Sequence, residues 1–211
     1  MDRIQLKNNA KQQIKGNIGI FFVITLIVTI VSYLASLILS LVPGAGTVAI
    51  FIIASAFELS HAIIALNLYN GRKLAVSDTF SGFKDFWSAF KVMLLATIFT
   101  FLWSLLFIIP GIIKGISYSQ AMYILAENPG MSAMQAIEKS KRMMHGHKMD
   151  YFVLGLSFIG WIILSTFTMG ILYIWLTPYM VATYVNFYKS VSGDTTSTSQ
   201  IPADFFEGEQ N

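Results

Sequence analysis

The chain has 211 residues, of which 55% are hydrophobic and only 12% are charged, and its mean hydropathy is +0.64. A soluble domain carries about 25% charged residues, so this chain has too few polar groups to cover a globular surface in water. The composition excludes an ordinary soluble enzyme domain, a disordered protein and a nucleic-acid-binding module, and it predicts a protein dissolved in lipid. Because the chain has no cysteine, no disulfide or thiolate chemistry is expected.

Long uncharged segments predict membrane-spanning helices, which need about 20 apolar residues within a range of about 17–25. The first segment, 18–42, is longer than the apolar region of a signal peptide and is interpreted as a retained anchor. The segment 151–188 has 38 residues without a charge, which suits two spans divided at 168–170. The predicted spans are 18–42, 47–69, 92–109, 112–126, 151–167 and 171–188.

Breaks that contain glycine form the turn between the two spans of each predicted pair. They lie at 43–46, 110–111 and 168–170, where proline or glycine interrupts an apolar run. The sequence therefore predicts an all-α transmembrane bundle of six spans in three hairpins, within units of roughly 1–71, 72–130 and 131–190. We expect one integral-membrane domain over 1–190. The acidic stretch 191–211 is predicted to be a disordered cytoplasmic tail.

The basic residues are segregated along the chain. Of the 14 Lys and Arg residues, 13 lie in the four segments that six spans would place in the cytoplasm, and the other is Lys114. This bias predicts cytoplasmic N- and C-termini, and it explains the pI near 9.0 without a nucleic-acid partner. A competing topology makes 112–126 a re-entrant hairpin and leaves five spans. It would place the basic loop at 139–148 outside, against the positive-inside rule.

Two cytoplasmic segments have amphipathic patterns. The stretch 77–91 is predicted to be an interfacial helix that meets anionic lipid through lysines and anchors itself with aromatic rings. Its anchors recur every three or four residues and are Phe80, Phe83, Trp87 and Phe90. The stretch 132–145 is predicted to be a second helix, since Ser132 and Gln135 have the spacing of a capping box.

Three polar residues inside the predicted spans are costly to place in lipid and form a candidate intramembrane polar site. They are Glu58, His61 and Lys114. A charge in mid-membrane costs roughly 2.5–3.5 kcal/mol on insertion scales, so Glu58 and Lys114 are functional candidates. The alternatives are a structural ion pair between spans two and four, or a Lys114 that snorkels to the outer headgroups. His61 shares a helix face with Glu58 and is expected to form a hydrogen bond within the bundle.

The other polar and special residues indicate no chemistry. Neither the single Glu-x-x-His pattern nor His145 with His147 supplies a metal-ligand set, so no metal, cofactor or catalytic residue is predicted. Pro178 lies inside span six and is a candidate hinge, with a static bend as the alternative. Gly111 and Gly115, four residues apart, predict close packing of span four in the bundle.

Several motifs in the second half of the chain carry a family resemblance. They are Ile109-Pro110-Gly111-Ile112-Ile113-Lys114, Tyr118-Ser119, Met144-His145-Gly146-His147-Lys148, Leu156-Ser157-Phe158-Ile159-Gly160-Trp161 and Pro178-Tyr179. With Lys7, Ala10, Lys11 and Gly16, they resemble the bacterial integral-membrane family of domain of unknown function 975. Glu127 stands where that family usually has Asp. The resemblance implies a multi-pass protein of the bacterial inner membrane, with Gly146 in a turn before span five. The chain is also distantly similar to the membrane domain of some glycerophosphodiester phosphodiesterases.

These observations support two main functional hypotheses. The first is a non-enzymatic scaffold, sensor or accessory protein associated with lipid or the cell envelope. Its partners would be the bilayer, anionic lipids at the cytoplasmic face, and a second copy or another membrane protein. The alternative is a small transporter or channel component that uses Glu58, His61 and Lys114. An intramembrane lipid enzyme is a third class.

Overall fold

The computed structural model describes residues 3–39, 45–168 and 171–193. Every regular element in these ranges is helical, which confirms the all-α class. The α-helices are α1 (Arg3–Ile14), α2 (Ile18–Leu39), α3 (Ala45–Tyr69), α4 (Phe86–Leu106), α5 (Ile108–Tyr118), α6 (Ala121–Glu127), α7 (Ala133–Met143), α8 (Lys148–Phe167) and α9 (Ile171–Ser192), and a 3₁₀ helix (Val76–Asp85) precedes α4.

Four helical segments of the described chain are long and apolar enough to cross a membrane. They are Ile18–Leu37, Val48–Tyr69, Val76–Leu105 and Lys148–Phe167. They correspond to predicted spans one, two, three and five. The region of span four is divided between α5 and α6 at residues 119–120, and α9 has polar residues along its length. The chain is therefore compatible with a membrane protein, while the count of six spans and their grouping into three hairpins stay predictions.

Helix α3 is the central helix of the bundle. It packs against α1, α2, α4, α6, α9 and the 3₁₀ helix. Within its apolar segment 44% of the residues are buried inside the protein, against 11% in the segment of α2 and 17% in that of α8. The outer helices therefore expose apolar side chains, which suits contact with lipid. The interior of the bundle is organised around α3.

The segment 77–91 differs from the single amphipathic α-helix predicted for it. Residues 76–85 form the 3₁₀ helix, and α4 already begins at Phe86, so Trp87 and Phe90 belong to α4. The cause is the close approach of Gly82 to α3, where an added Cβ would lie 2.2 Å from the carbonyl oxygen of Ala56. The Gly82 N–H donates to the Ser60 hydroxyl at 2.9 Å. This contact holds the segment against α3.

The turn between α4 and α5 lies before the position predicted from Pro110 and Gly111. The chain reverses at Phe107, whose backbone is extended, and Pro110 is the third residue of α5. Proline is tolerated there because the first turn of a helix has no intrahelical acceptor for its N–H groups. Gly111 instead packs against α4, where an added Cβ would lie 2.0 Å from the Ser104 hydroxyl oxygen. The close packing predicted for the two glycines is therefore found at Gly111, whereas an added Cβ at Gly115 would lie at an ordinary 3.5 Å from Thr100.

The second amphipathic segment forms the predicted helix. Ser132 accepts from the Gln135 N–H at 3.3 Å, and the Gln135 side chain accepts from the Ser132 N–H at 3.1 Å, which completes the capping box at the start of α7. Gly146 has φ +86° before α8, as the family resemblance implied. The buried Ser140 hydroxyl of α7 donates to the Ser117 carbonyl at 2.8 Å and accepts from the Gln120 N–H at 3.2 Å. Helix α7 thereby fastens the junction of α5 and α6.

Helix α1 is packed into the bundle against α9. Its Leu6 and Ala10 are buried, and the side-chain amides of Gln13 and Asn186 bond to each other, with the Asn186 amide donating at 2.5 Å. The predicted breaks at 43–46 and 168–170 lie partly outside the described residues. The predicted tail, 191–211, lies almost wholly outside them.

Candidate functional site

Glu58 is an exposed carboxylate in the middle of the central helix. Its neighbours Phe57 and Leu59 are buried, at 4% and 2% exposure, whereas the Glu58 side chain lies on the open face of α3. Among the residues that the structure describes, Glu58 forms neither an ion pair nor a hydrogen bond. An acid left in this state inside an apolar segment is costly, so it is the strongest candidate for a functional group.

A first cavity of about 550 Å³ lies on one side of Glu58, between α3, α4 and the α5–α6 segment. Its walls are mainly apolar, with hydroxyls along α4. The side chains of Thr100 and Ser104 line it opposite Gly115, and Phe101, which also lines it, is exposed. We call this space the α4 cavity. The remaining lining residues are Val92, Met93, Ala96, Thr97, Tyr118, Ser119, Ala121 and Met122.

A second cavity of about 330 Å³ lies on the other side of Glu58, between α3, α6 and α9. We call it the α9 cavity. A larger share of its walls is aromatic or polar than in the first, and its described lining residues besides Glu58 are His61, Tyr123, Tyr173, Thr177, Met180, Val181 and Tyr184. Glu58 therefore stands between two cavities and is accessible from both.

The structure brings His61 to Glu58 but leaves Lys114 apart from both. His61 lines the α9 cavity. Within the described chain it forms no hydrogen bond, so the hydrogen bond expected within the bundle is not found there. Lys114 lines neither cavity. Its ammonium lies 4.3 Å from the ring centroid of Trp103, a cation–π distance, and no ion pair joins it to Glu58 in the described residues. The structural ion pair between spans two and four is therefore not formed.

Pro178 is buried within the continuous helix α9. It lies between Thr177 and Met180, which both line the α9 cavity. A bend at Pro178 would thus act on the shape of this cavity, and its role as a hinge stays a prediction.

The predicted anchors form part of an aromatic face at the start of α4, which we define as Phe80, Phe83, Phe86, Trp87 and Phe90 with Lys84 and Lys91. Four of its rings are exposed, most of all Trp87 at 52%. The Trp87 ring stacks on Phe90 at 5.5 Å, and the Lys91 ammonium lies 5.3 Å from the Trp87 centroid. Phe83 packs edge-on against the buried Phe57 at 5.2 Å. The rings are thus held in place while their outer surfaces stay open.

Sequence reasoning missed an ionic cluster at the ends of α6 and α9. The Lys189 ammonium lies 2.6 Å from a carboxylate oxygen of Glu127, with side-chain exposures of 6% and 29%. The Tyr188 hydroxyl donates to the other carboxylate oxygen at 2.5 Å, and the Tyr69 ring centroid lies 5.6 Å from the ammonium. The positive-inside rule counts the basic residue at 189 as a topology signal. Its position directly after a long apolar segment could have indicated a buried role.

Two overlapping stretches of the chain, 1–117 and 105–195, match the model of a family described as a protein of unknown function, DUF975. Together they cover residues 1–195. Neither a curated protein nor a solved structure matches the chain. The distant similarity to the phosphodiesterase membrane domain receives no support from these comparisons and stays a prediction. The match agrees with the motifs at 109–114, 144–148 and 156–161, and the chain belongs to the DUF975 family.

Proposed function

We propose that this protein is a six-span protein of the bacterial cytoplasmic membrane, with both ends in the cytoplasm. It acts without catalysing a reaction, as an accessory protein that associates with anionic lipid at the cytoplasmic face. The observation that carries this proposal is the aromatic face, where exposed rings stand beside Lys84 and Lys91. Aromatic rings settle at headgroup depth, and lysines beside them attract anionic lipid.

The packing behind the aromatic face orders its rings, which favours their role in contact with lipid. Phe80 and Phe83 rest on Phe57 of the central helix, and Gly82 is fixed to Ser60 by a hydrogen bond. Since the rings are already ordered, their contact with lipid costs little further conformational entropy.

The test is the lipid that accompanies the protein when it is extracted into polymer-bounded bilayer discs. We expect the wild-type protein to be enriched in anionic lipid over the bulk membrane. The Lys84→Gln/Lys91→Gln variant should lose about half or more of that enrichment, because each lysine near the surface contributes about 1 kcal/mol of attraction. Lys11→Gln/Lys15→Gln removes the same charge from two exposed positions outside the aromatic face, one on α1 and one directly after it, and should keep the enrichment. Equal enrichment in both variants, or none in the wild type, would contradict the proposal.

The two cavities favour a second candidate function, a small transporter or channel component. They meet at Glu58, so a solute could contact the same carboxylate from either side. This arrangement supports the functional interpretation of the intramembrane acid, with His61 beside it and Lys114 outside the cavities.

Solute flux into proteoliposomes separates the two functions. If Glu58→Gln and Lys114→Met remain folded and a flux present in the wild type is lost in Glu58→Gln, the accessory role alone is insufficient. If flux is lost only in Lys114→Met, the cavities are not its route. Absence of flux in the wild type would remove the second candidate.

A further inference from the structure

The charged groups that line the two cavities favour one class of ligand. Among the described residues that line them, Glu58 is the one acid, and neither Lys nor Arg is present. Within the part of the chain that the structure describes, this carboxylate also has neither an ion pair nor a hydrogen bond, unlike that of Glu127. In surroundings of low dielectric, an unpaired carboxylate attracts a cation more strongly than it would in water.

The walls of the α9 cavity suit an organic cation better than a small metal ion. The side chains that surround the acid there are His61, Thr177 and three tyrosines, Tyr123, Tyr173 and Tyr184. Aromatic rings attract quaternary and protonated amines through cation–π contacts. A metal ion would require several carboxylate or imidazole ligands, and the described residues contain no group of three such side chains.

The α4 cavity offers a place for an apolar chain. It is the larger of the two, and most of its wall is formed by aliphatic, methionine and aromatic side chains such as Met93, Ala96 and Phe101. Its lining on α4 runs from Val92 to Ser104, which at 1.5 Å per residue corresponds to about 18 Å of helix. A ligand with a charged head and a hydrocarbon chain could therefore use both cavities.

We propose that Glu58 binds the ammonium group of a cationic amphiphile, with the head among the tyrosines of the α9 cavity and the apolar chain in the α4 cavity. This site shares no residue with the aromatic face, so the proposed binding and the proposed accessory function can be tested independently. The proposed binding is the same whether the protein transports the amphiphile or only retains it.

The test is equilibrium binding of radiolabelled decyltrimethylammonium, below its micelle concentration, to the full chain in discs of zwitterionic lipid. Binding to empty discs is subtracted. We expect saturable binding that is about tenfold or more weaker in Glu58→Gln, since loss of a close charge pair costs at least that factor. Glu138→Gln, an exposed acid on α7 that lines neither cavity, is the matched control and should bind as the wild type does.

Two further probes assign the parts of the site. Decyl sulfate, with the same chain and the opposite charge, should not bind saturably. Tetramethylammonium, the head without a chain, should bind about tenfold or more weakly than the amphiphile, because burial of each methylene contributes about 0.8 kcal/mol. Thr97→Trp, which fills the α4 cavity from an exposed position, should weaken the amphiphile and leave tetramethylammonium unchanged.

The proposal is overturned if Glu58→Gln, with its melting temperature unchanged, binds the amphiphile as tightly as the wild type. It is also overturned if decyl sulfate binds equally well or if the wild type shows no saturable binding. Equal affinity for tetramethylammonium and the amphiphile would show that the site takes a small soluble cation, and the assignment of an amphiphile would be wrong.

Discussion

Glu58 and Glu127 are both acids within the helical bundle, and the structure treats them in opposite ways. Glu127 lies 2.6 Å from the Lys189 ammonium and accepts a hydrogen bond from Tyr188. Glu58 has no such partner among the described residues and instead lines two cavities. A carboxylate in an apolar bundle can thus be paired within the fold or remain open to a cavity, and sequence position alone does not distinguish the two cases.

The Glu127 cluster lies where three helices end. Tyr69, Glu127 and Lys189 lie at or near the C-terminal ends of α3, α6 and α9. Cations are favourable at helix C-termini because the backbone carbonyls there carry partial negative charge. Lys189 therefore joins three helices through one buried ammonium.

The largest expected effect breaks this cluster. Glu127→Gln should lower the free energy of unfolding by about 3 kcal/mol, because Lys189 keeps its charge in a nearly buried position and loses its ionic partner. Unfolding in detergent micelles, followed by tryptophan fluorescence, measures the change. Glu127→Gln/Lys189→Met should recover part of the loss, and Glu138→Gln at an exposed position of α7 should have no effect. If Glu127→Gln behaves like Glu138→Gln, the cluster does not stabilise the fold.

A second variant disturbs Ser104, which lines the α4 cavity together with Glu58. Gly111→Ala should cost about 2 kcal/mol by overpacking, because its Cβ would collide with the side chain and backbone of Ser104. Gly115→Ala is the matched control, since its Cβ would meet Thr100 at an ordinary distance of 3.5 Å. Thermal unfolding of the two variants compares them directly, and equal melting temperatures would mean that α4 and α5 do not pack this closely.

A third variant tests the junction that supports both regions. Ser140→Ala removes the hydroxyl that bonds Ser117 and Gln120, next to the helix that carries Tyr123 and Glu127. We expect a loss of about 1–2 kcal/mol, because two buried backbone groups lose their partner. Ser157→Ala, whose hydroxyl bonds only within its own helix, should cost less. Equal losses from chemical unfolding would show that the junction is fastened by other contacts.

The smallest expected effect is that of Glu58→Gln on stability. Any loss of stability should stay within about 0.5 kcal/mol, because the change removes neither an ion pair nor a hydrogen bond of the described chain. The same unfolding assay measures it beside Glu127→Gln. A loss as large as that of Glu127→Gln would abolish the contrast between the two acids.

Local rules predicted local features. The Ser132 and Gln135 spacing predicted the capping box at the start of α7, and the family resemblance implied the turn at Gly146. The same rules were wrong at Pro110, where a proline that signals a break stands within the first turn of α5. Proline suits both positions, so its presence in the sequence could not decide between them.

Tertiary contacts determined the features that bear on function. The 3₁₀ helix replaced part of the predicted interfacial helix because Gly82 reaches the backbone of α3, a contact between residues 22 positions apart in the chain. The partner of Glu127 lies on α9, 62 residues away, and the spacing of charges within a helix carries no signal for such a pair.

Composition and motifs were sufficient to predict that this chain is helical and apolar, that it belongs to the DUF975 family, and that Glu58 is an unusual acid within a long apolar segment. These properties follow from composition, periodicity and short motifs. The packing of the helices was needed to show that Lys114 lies beside Trp103 and not beside Glu58, that Lys189 is paired with Glu127, and that two cavities meet at Glu58. The physical reason is that ion pairs and cavities depend on which helix faces meet, and that is settled by packing across the whole bundle.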